Sequence, residues 1–452
     1  MTQPPQDAPP PSSPSPWAQR FGEVSDEALR RRLRVPAERL LGLNLVSPEV
    51  AVDRIRTALK CVVSPTEQML RILRTLLDRA RAYCLRSYPD AAAVLRLMYG
   101  SKVPAADDGV VTCVTGLSGA GKSVLLDLFC RLLSERPVID ITGHASLELQ
   151  SWWRLQVLDG ATFAQMVTPQ FRHPDTISPS RVLAHAVTEA AAQGVATILA
   201  DEFQFITGSA ANTHLTKLLL RLSQVGPPVV FACNYSMVHA LLRRPQQDRD
   251  RLLATPIILL PEPMGVDWIQ TVADCLEVAA EFELLQGPVT AALLHRYAFG
   301  NKRGLRRLLC LSYLQMRREN ETQVSRDHLR RAYLSVEYTS TRHDVEQLIQ
   351  NALDPQKLPL NLRCPFESAE CLPSAAPVVP HPAAEQHEER KAQAALRSQL
   401  TPHARQMLAL LENQGDPDPP IASKADSSLL TAEKLIGGAK LFLDQSRTKP
   451  KQ

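Results

Sequence analysis

From residue 108 to 260 the chain alternates short apolar, β-branched runs with longer stretches whose apolar residues recur three and four positions apart. The runs occupy 110–114, 138–141, 195–200, 228–233 and 256–260. Branched runs of this length fit strands buried on both faces, and the helical spacing between them predicts a parallel sheet flanked by helices. Ahead of this block, residues 47–99 read as helical. Thr66 through Leu73 carry apolar residues three and four apart, and Ser64-Pro65 suits a helix start, with Ser64 at the N-cap and Pro65 in the first turn. From 266 to 338 the strand-like runs stop and amphipathic helical spacing predicts a small helical domain. A Pro/Ala-rich stretch at 374–384 reads as a linker, followed by weakly helical stretches at 388–412 and 429–445.

The sharpest chemical signal lies between the first strand and the helix after it. Gly116-Leu117-Ser118-Gly119-Ala120-Gly121-Lys122-Ser123 fits G-x-x-x-x-G-K-[ST] without a gap, and Val124 continues into helical spacing. Strand, glycine turn and helix N-terminus together make an anion site: the glycines let the backbone wrap phosphate oxygens, and free amides and the helix dipole favour negative charge. Lys122 is expected on the β- and γ-phosphates and the Ser123 hydroxyl on Mg²⁺, so ATP and Mg²⁺ are the expected cofactors. The strand-like run at 195–200 ends in Asp201-Glu202. Asp201 suits a metal that prefers oxygen and keeps several waters, and Glu202 suits a base that orients and deprotonates the attacking water. Such a base has no use in a small-molecule kinase. The next run ends in Asn234, whose amide would lie beside the carboxylates, although asparagine at a strand end is commonly just a turn residue. Arginines gather at 243, 244, 249 and 251 and again at 303, 306 and 307. Guanidinium suits transition-state phosphate charge, while any single one of these also fits a solvated helix face.

Composition narrows this picture. The 452 residues, 44% hydrophobic and 22% charged, can bury one large core or two to three domains. Many of the 35 prolines fall at the two ends, and the first twenty residues lack the apolar content for a core. No secretory h-region and no run long enough to span a bilayer appear, so a cytoplasmic protein without membrane contact is expected. Of nine cysteines, Cys113, Cys130 and Cys233 sit inside apolar runs, as buried reduced thiols do. Cys364 and Cys371 have no second pair at ligand spacing, so zinc is not expected there.

The order of P-loop, Asp-Glu strand, strand-terminal Asn, arginine-rich segment and helical region with Gly300-Asn301-Lys302-Arg303 resembles an AAA+ ATPase. More narrowly, it resembles the TnsC/TniB/MuB group of DNA transposition regulators, through Asp201-Glu202-Phe203-Gln204-Phe205, the segment from Arg251 to Ile257, and the run from Gly300 to Leu309. The resemblance covers roughly residues 60 to 345. It implies an α/β fold, a P-loop AAA+ parallel sheet flanked by helices with a small C-terminal helical lid. Together with the patterning and composition above, the expected partition is a disordered Pro-rich segment 1–46, a helical segment 47–107, the nucleotide-binding domain 108–262, the lid 263–345, an extension and linker 346–390, and a flexible partner-docking tail 391–452, with the Pro-rich N-terminus and the tail departing from the simplest members of the family. It further implies Asn234 and Arg303 as nucleotide sensors from the core and the lid, and Arg251, with Arg249 as runner-up, as the finger reaching a neighbouring subunit. By the same resemblance the protein polymerises with ATP on duplex DNA as a ring or helical filament. It bridges a target-selection protein to the transposase, and hydrolysis resets the assembly.

Contact with duplex DNA needs cationic side chains on a repeated path along the phosphates. The expected carriers are a loop with Trp152, Trp153 and Arg154, then Arg172 and His173, and a helix with Lys217 and Arg221. The tryptophan pair fits a core or a subunit interface better than DNA. No helix-turn-helix or zinc finger announces base readout, and a net charge of +4 suits a sequence-tolerant binder. Two other functions fit the same motifs: a helicase loader or remodeller, and a nucleotide-sensing switch that touches no DNA.

Overall fold

A computed structural model of the chain describes residues 25–99, 109–134, 138–141, 143–156, 160–173, 178–201, 211–352 and 354–366. Its helices begin earlier than the sequence pattern suggests. Helix α1 (Asp26–Leu33) starts at Ser25, whose hydroxyl accepts from the Ala28 amide, and it buries Leu29 and Leu33. Arg30 holds Asp267 at 2.6 Å, and Arg34, just past the helix, holds the buried Asp274 at 2.5 Å. Long-range ion pairs thus order part of the segment expected to be disordered; residues 1–24 lie outside the described residues. Helices α2 (Pro48–Cys61), α3 (Glu67–Ser87) and α4 (Ala91–Tyr99) follow. The expected start of α3 at Ser64-Pro65 shifts to Thr66, whose hydroxyl accepts from Met69 N–H. Ser64 is engaged elsewhere, donating to Asp274 at 2.5 Å.

Strand β1 (Val111–Gly116) is buried throughout and leads into α5 (Lys122–Leu133). The run at 138–141 supplies β2 (Val138–Ile139), which pairs antiparallel with β3 (Leu147–Glu148) and not with the main sheet. Its place in the sheet is taken by β4 (Trp152–Gln156), in the segment expected to be a loop. The tryptophans explain the difference. Trp153 is fully buried and its indole donates to Gln193 Oε1 at 2.7 Å, so alternation across the strand is set by core burial. Helices α6 (Phe163–Val167) and α7 (Val182–Gln193) lead to β5 (Thr197–Asp201). Then come α8 (Ala211–Ser223), β6 (Val229–Asn234), α9 (Tyr235–Leu241), α10 (Gln246–Leu252) and β7 (Ile257–Leu259).

The five strands run in the order β4-β5-β6-β1-β7 and every neighbouring pair is parallel. This is the α/β class expected from the sequence. Strand β6 therefore lies between β1 and β5, and the register puts Gly116 beside Asn234. One apolar layer, with Leu73 and Leu76 of α3 and Leu125 and Phe129 of α5, covers the face bearing Leu199 and Ala232. A second, with Trp153, Ala186, Leu215 and Leu219, covers the face bearing Ile198 and Phe231.

Beyond the sheet, α11 (Val266–Leu276), α12 (Pro288–Ala298), α13 (Lys302–Arg318), α14 (Arg326–Leu334) and α15 (Thr339–Gln350) build the helical region. Their core contains Trp268, Leu294, Leu308 and Tyr313, and α2 joins it through Ile55 and Leu59. The chain then returns to the sheet. Leu358 and Leu362 enter the first apolar layer, Phe366 packs on the second, and His239 Nε2 donates to the Arg363 carbonyl at 3.1 Å.

Trp153→Ala is expected to cost about 3–5 kcal/mol, because it opens a cavity in a filled layer and leaves Gln193 without its donor. Urea denaturation of the purified variant reads this directly.

Candidate functional site

The loop between β1 and α5 has its shape dictated by glycine. A Cβ on Gly116 would stand 2.3 Å from the Leu259 carbonyl oxygen, so only glycine lets β1 end so close to β7. Gly119 and Gly121 have φ of 83° and 111°, left-handed values that side chains resist. Gly121 is the N-cap of α5 and offers no side-chain acceptor, so the first-turn amides of Lys122, Ser123 and Val124 have no cap from it. That is the cradle expected for an anion.

Lys122 is buried at the start of α5. Its Nζ donates to the carbonyls of Gly116 and Leu117, both at 3.0 Å, and to Asn234 Oδ1 at 2.8 Å. Burial, against a smaller pull from neighbouring charges, lowers its pKa to about 8. Asn234 is the N-cap of α9 but makes no side-chain cap bond there; its amide oxygen serves Lys122. The structure thus joins two of the expected site residues directly.

Asp201 ends β5. One step beyond the Ala200–Phe231 pair, it stands level with Ala232 and Val114, on the face that carries Leu199 and α5. Its side chain is 14% exposed. Arg154, expected as a DNA contact, is engaged here instead: it donates to Asp127 of α5 and its Nη2 lies 3.8 Å from Asp201 Oδ2. Burial works against the charge on Arg154, but the bond to Asp127 together with the pull of Asp127 and Asp201 leaves its pKa raised. Glu202, the expected base, lies outside the described residues. Ser123, exposed on the first turn of α5, offers a hydroxyl and Asp201 a carboxylate, both hard oxygen donors of the kind that Mg²⁺ takes with waters completing its shell.

The helical region reaches the loop through the N-terminus of α13. Asn301 caps this helix by accepting from Arg303 N–H at 2.9 Å and Gly304 N–H at 3.1 Å, and its amide donates to the Ser118 carbonyl at 2.7 Å. Arg303 Nη1 donates to Ser118 Oγ at 3.0 Å. A Cβ on Gly119 would lie 2.6 Å from both Arg303 Cβ and Asn301 Oδ1. Gly300, at φ 66°, is pressed against Glu262, where a Cβ would fall 2.0 Å from the carbonyl oxygen. The Gly-Asn-Lys-Arg run is therefore a joint: glycine permits the approach, asparagine locks it and arginine is delivered to the loop.

A cavity of about 310 Å³ opens between loop and helices, lined by Ser118, Asn234, Arg303, Arg307, Asp344 and Asn361 among others. Asn361 belongs to the returning segment at 354–366, which reading the chain as a linker missed. The signal was the apolar set Leu358, Leu360, Leu362 and Phe366, too rich for a linker. Asn301 has its own signal in the sequence, since an Asn that follows a glycine and opens an amphipathic stretch is a helix-cap signature.

No protein-family model matches the chain, and no curated protein matches it. Solved structures match the chain at low identity and with TM-scores below 0.5. Cdc6p from Pyrobaculum aerophilum is 13% identical, with a TM-score of 0.35, over 53% of this chain and 64% of that one. Drosophila ORC bound to DNA is 14% identical, with a TM-score of 0.36, over 95% and 91%. The RuvB Holliday junction branch migration motor from Thermotoga maritima is 10% identical, with a TM-score of 0.35, over 64% and 76%. The chain thus spans just under two thirds of the Cdc6p structure.

Arg251 and Arg249 are exposed on α10, away from this site. The chain beyond α10 enters β7 past Thr255, whose hydroxyl donates to the Val111 carbonyl at 3.3 Å, at the opposite end of β1 from the loop. The structure does not bring either arginine to Lys122. Lys217 and Arg221 are exposed one helical turn apart on α8, with Arg221 over the Phe163 ring at 5.2 Å. Arg172 and His173 are exposed, and Arg172 lies 3.7 Å from Glu189.

Lys122 makes stability depend on pH with a defined sign. Its folded ammonium loses the proton near pH 8 and the unfolded one near 10.5, so between these values the unfolded chain holds the extra proton and stability rises with pH. The full gain is about 3 kcal/mol. Urea denaturation of nucleotide-free protein should show the wild type gaining that much on Lys122→Met across this window; a constant difference contradicts the buried ammonium.

Proposed function

We propose that the chain is an AAA+-type ATPase whose nucleotide state controls its assembly on duplex DNA. The observation that carries the reading is the joint at Ser118, where Asn301 and Arg303 of the helical region bind the same loop that Lys122 stabilises. A phosphate entering this loop meets the α5 amides, Lys122, Asn234 and Arg303 together, so binding bears on both parts at once. Lys122 exchanges its carbonyl partners for phosphate oxygens. Ser123 and Asp201 would hold Mg²⁺, which would supply positive charge against the phosphate. Glu202 orients the attacking water and takes its proton, and Asn234 fixes that water against the γ-phosphate. Arg303 answers the γ-phosphate from the lid. Arg251 faces outward and away from its own loop, which suits a finger acting on a neighbouring subunit.

Lys217 and Arg221 on one face of α8, with Arg172 and His173, are the proposed phosphate-backbone contacts, sequence-tolerant and salt-dependent. The resemblance to DNA transposition regulators makes the finer proposal that the assembled form bridges a target-selection protein to a transposase, and that hydrolysis disassembles it. The proposed domains are a helical segment 47–107, a nucleotide domain 108–262, a lid 263–345 and a partner-docking tail 391–452, with α1 and the returning segment 354–366 lying outside these bounds.

Electron microscopy of the protein with duplex DNA and a non-hydrolysable ATP analogue is expected to show rings or filaments that are absent with ADP; their absence under both conditions refutes the assembly reading. Lys122→Ala is expected to lose ATP binding. Glu202→Gln should bind and assemble like wild type while steady-state phosphate release falls about a hundredfold, and unchanged turnover removes Glu202 from its role.

A further inference from the structure

Arg154 has no part in the chemistry assigned above, yet its guanidinium stands between two carboxylates at the proposed metal site. Burial of Trp153 and Leu155 under one face of the sheet sends Arg154 to the opposite face, where Asp127 of α5 and Asp201 of β5 lie. The two contacts are unequal. Nη1 donates a hydrogen bond to Asp127 Oδ1, whereas Nη2 is 3.8 Å from Asp201 Oδ2, beyond hydrogen-bond reach. Asp201 therefore feels the positive charge without giving up a lone pair to it.

We propose that Arg154 is a charge placeholder for the divalent cation: a positioning residue that neutralises Asp201 before metal arrives, restrained by Asp127 from closing onto it. The proposal rests on the reading of Ser123 and Asp201 as Mg²⁺ ligands. An arginine left to itself beside a carboxylate tends to form a two-pronged hydrogen-bonded pair, which would occupy the oxygens a metal needs. Asp127 prevents this by holding one prong. The remaining attraction steadies a largely buried carboxylate, and the remaining positive potential opposes an incoming cation. Two substitutions on either side of one ion pair should then move metal affinity in opposite directions. Removing Arg154 removes the competing charge; removing the charge of Asp127 releases Arg154 to close on Asp201.

The test is a Mg²⁺ titration of fluorescent ATP-analogue binding to the full-length protein, reading the half-saturating Mg²⁺ concentration. Arg154→Gln is expected to lower that concentration and Asp127→Asn to raise it, each by about three- to tenfold, while Arg154→Lys stays near wild type. Melting temperatures of the nucleotide-free variants report folding. A scaffold role for Arg154 predicts that both substitutions raise the concentration, and that result, or no change in either, overturns the proposal. Should Arg154→Gln fail to fold, Asp127→Asn decides alone: a value at or below wild type overturns it. Wild type that binds the analogue with no Mg²⁺ dependence removes the ligand assignment itself and the placeholder with it, an outcome distinct from variants that simply match a Mg²⁺-dependent wild type.

Discussion

An ammonium group buried among three oxygens, two from its own loop and one from a residue 112 positions away, sets the terms for the rest of the site. A cation withdrawn from water is costly unless every proton finds an acceptor. Lys122 meets that demand by tying the end of β1, the loop and the end of β6 to one atom. The same arrangement is ready to be exchanged, because carbonyl and amide oxygens are weaker partners for an ammonium than the charged oxygens of a phosphate. Stability of the empty loop and readiness for an anion come from one group.

Around that group, the sheet acts as a ruler. Placing β6 between β1 and β5 puts an uncharged amide beside the ammonium and a carboxylate one strand further out, about 10 Å across the sheet from the loop strand. A carboxylate directly beside Lys122 would neutralise it; one strand away it can serve a metal while still attracting the lysine. Asp201 has this separation, with Arg154 on its far side.

Much of this was legible in the chain itself. The glycine loop, the strand ending in Asp201 and the strand-terminal Asn are short local signals whose placement does not depend on distant packing, and four of the five expected apolar runs are strands of the main sheet. What was not legible depends on partners far away in sequence. The run at 138–141 has the composition of a sheet strand but pairs with β3, and Trp152–Gln156 reads as a loop until Gln193 and α7 supply the core that makes it a strand. Arg154 looks like a surface cation until Asp127 and Asp201 appear on either side. Residues 354–366 look like a linker until the apolar layers that Leu358, Leu362 and Phe366 join are known.

The amide of Asn301 caps α13 with its oxygen and grips the Ser118 carbonyl with its nitrogen. One planar group cannot shift for one of these tasks without disturbing the other. Free energy exchanged through such a group is symmetric: whatever a phosphate in the loop does to the standing of the helices, a force or partner acting on the helices returns to the phosphate in equal measure. In the proposed function, reading a nucleotide and being commanded by a partner would be, at this asparagine, the same thermodynamic quantity viewed from opposite ends.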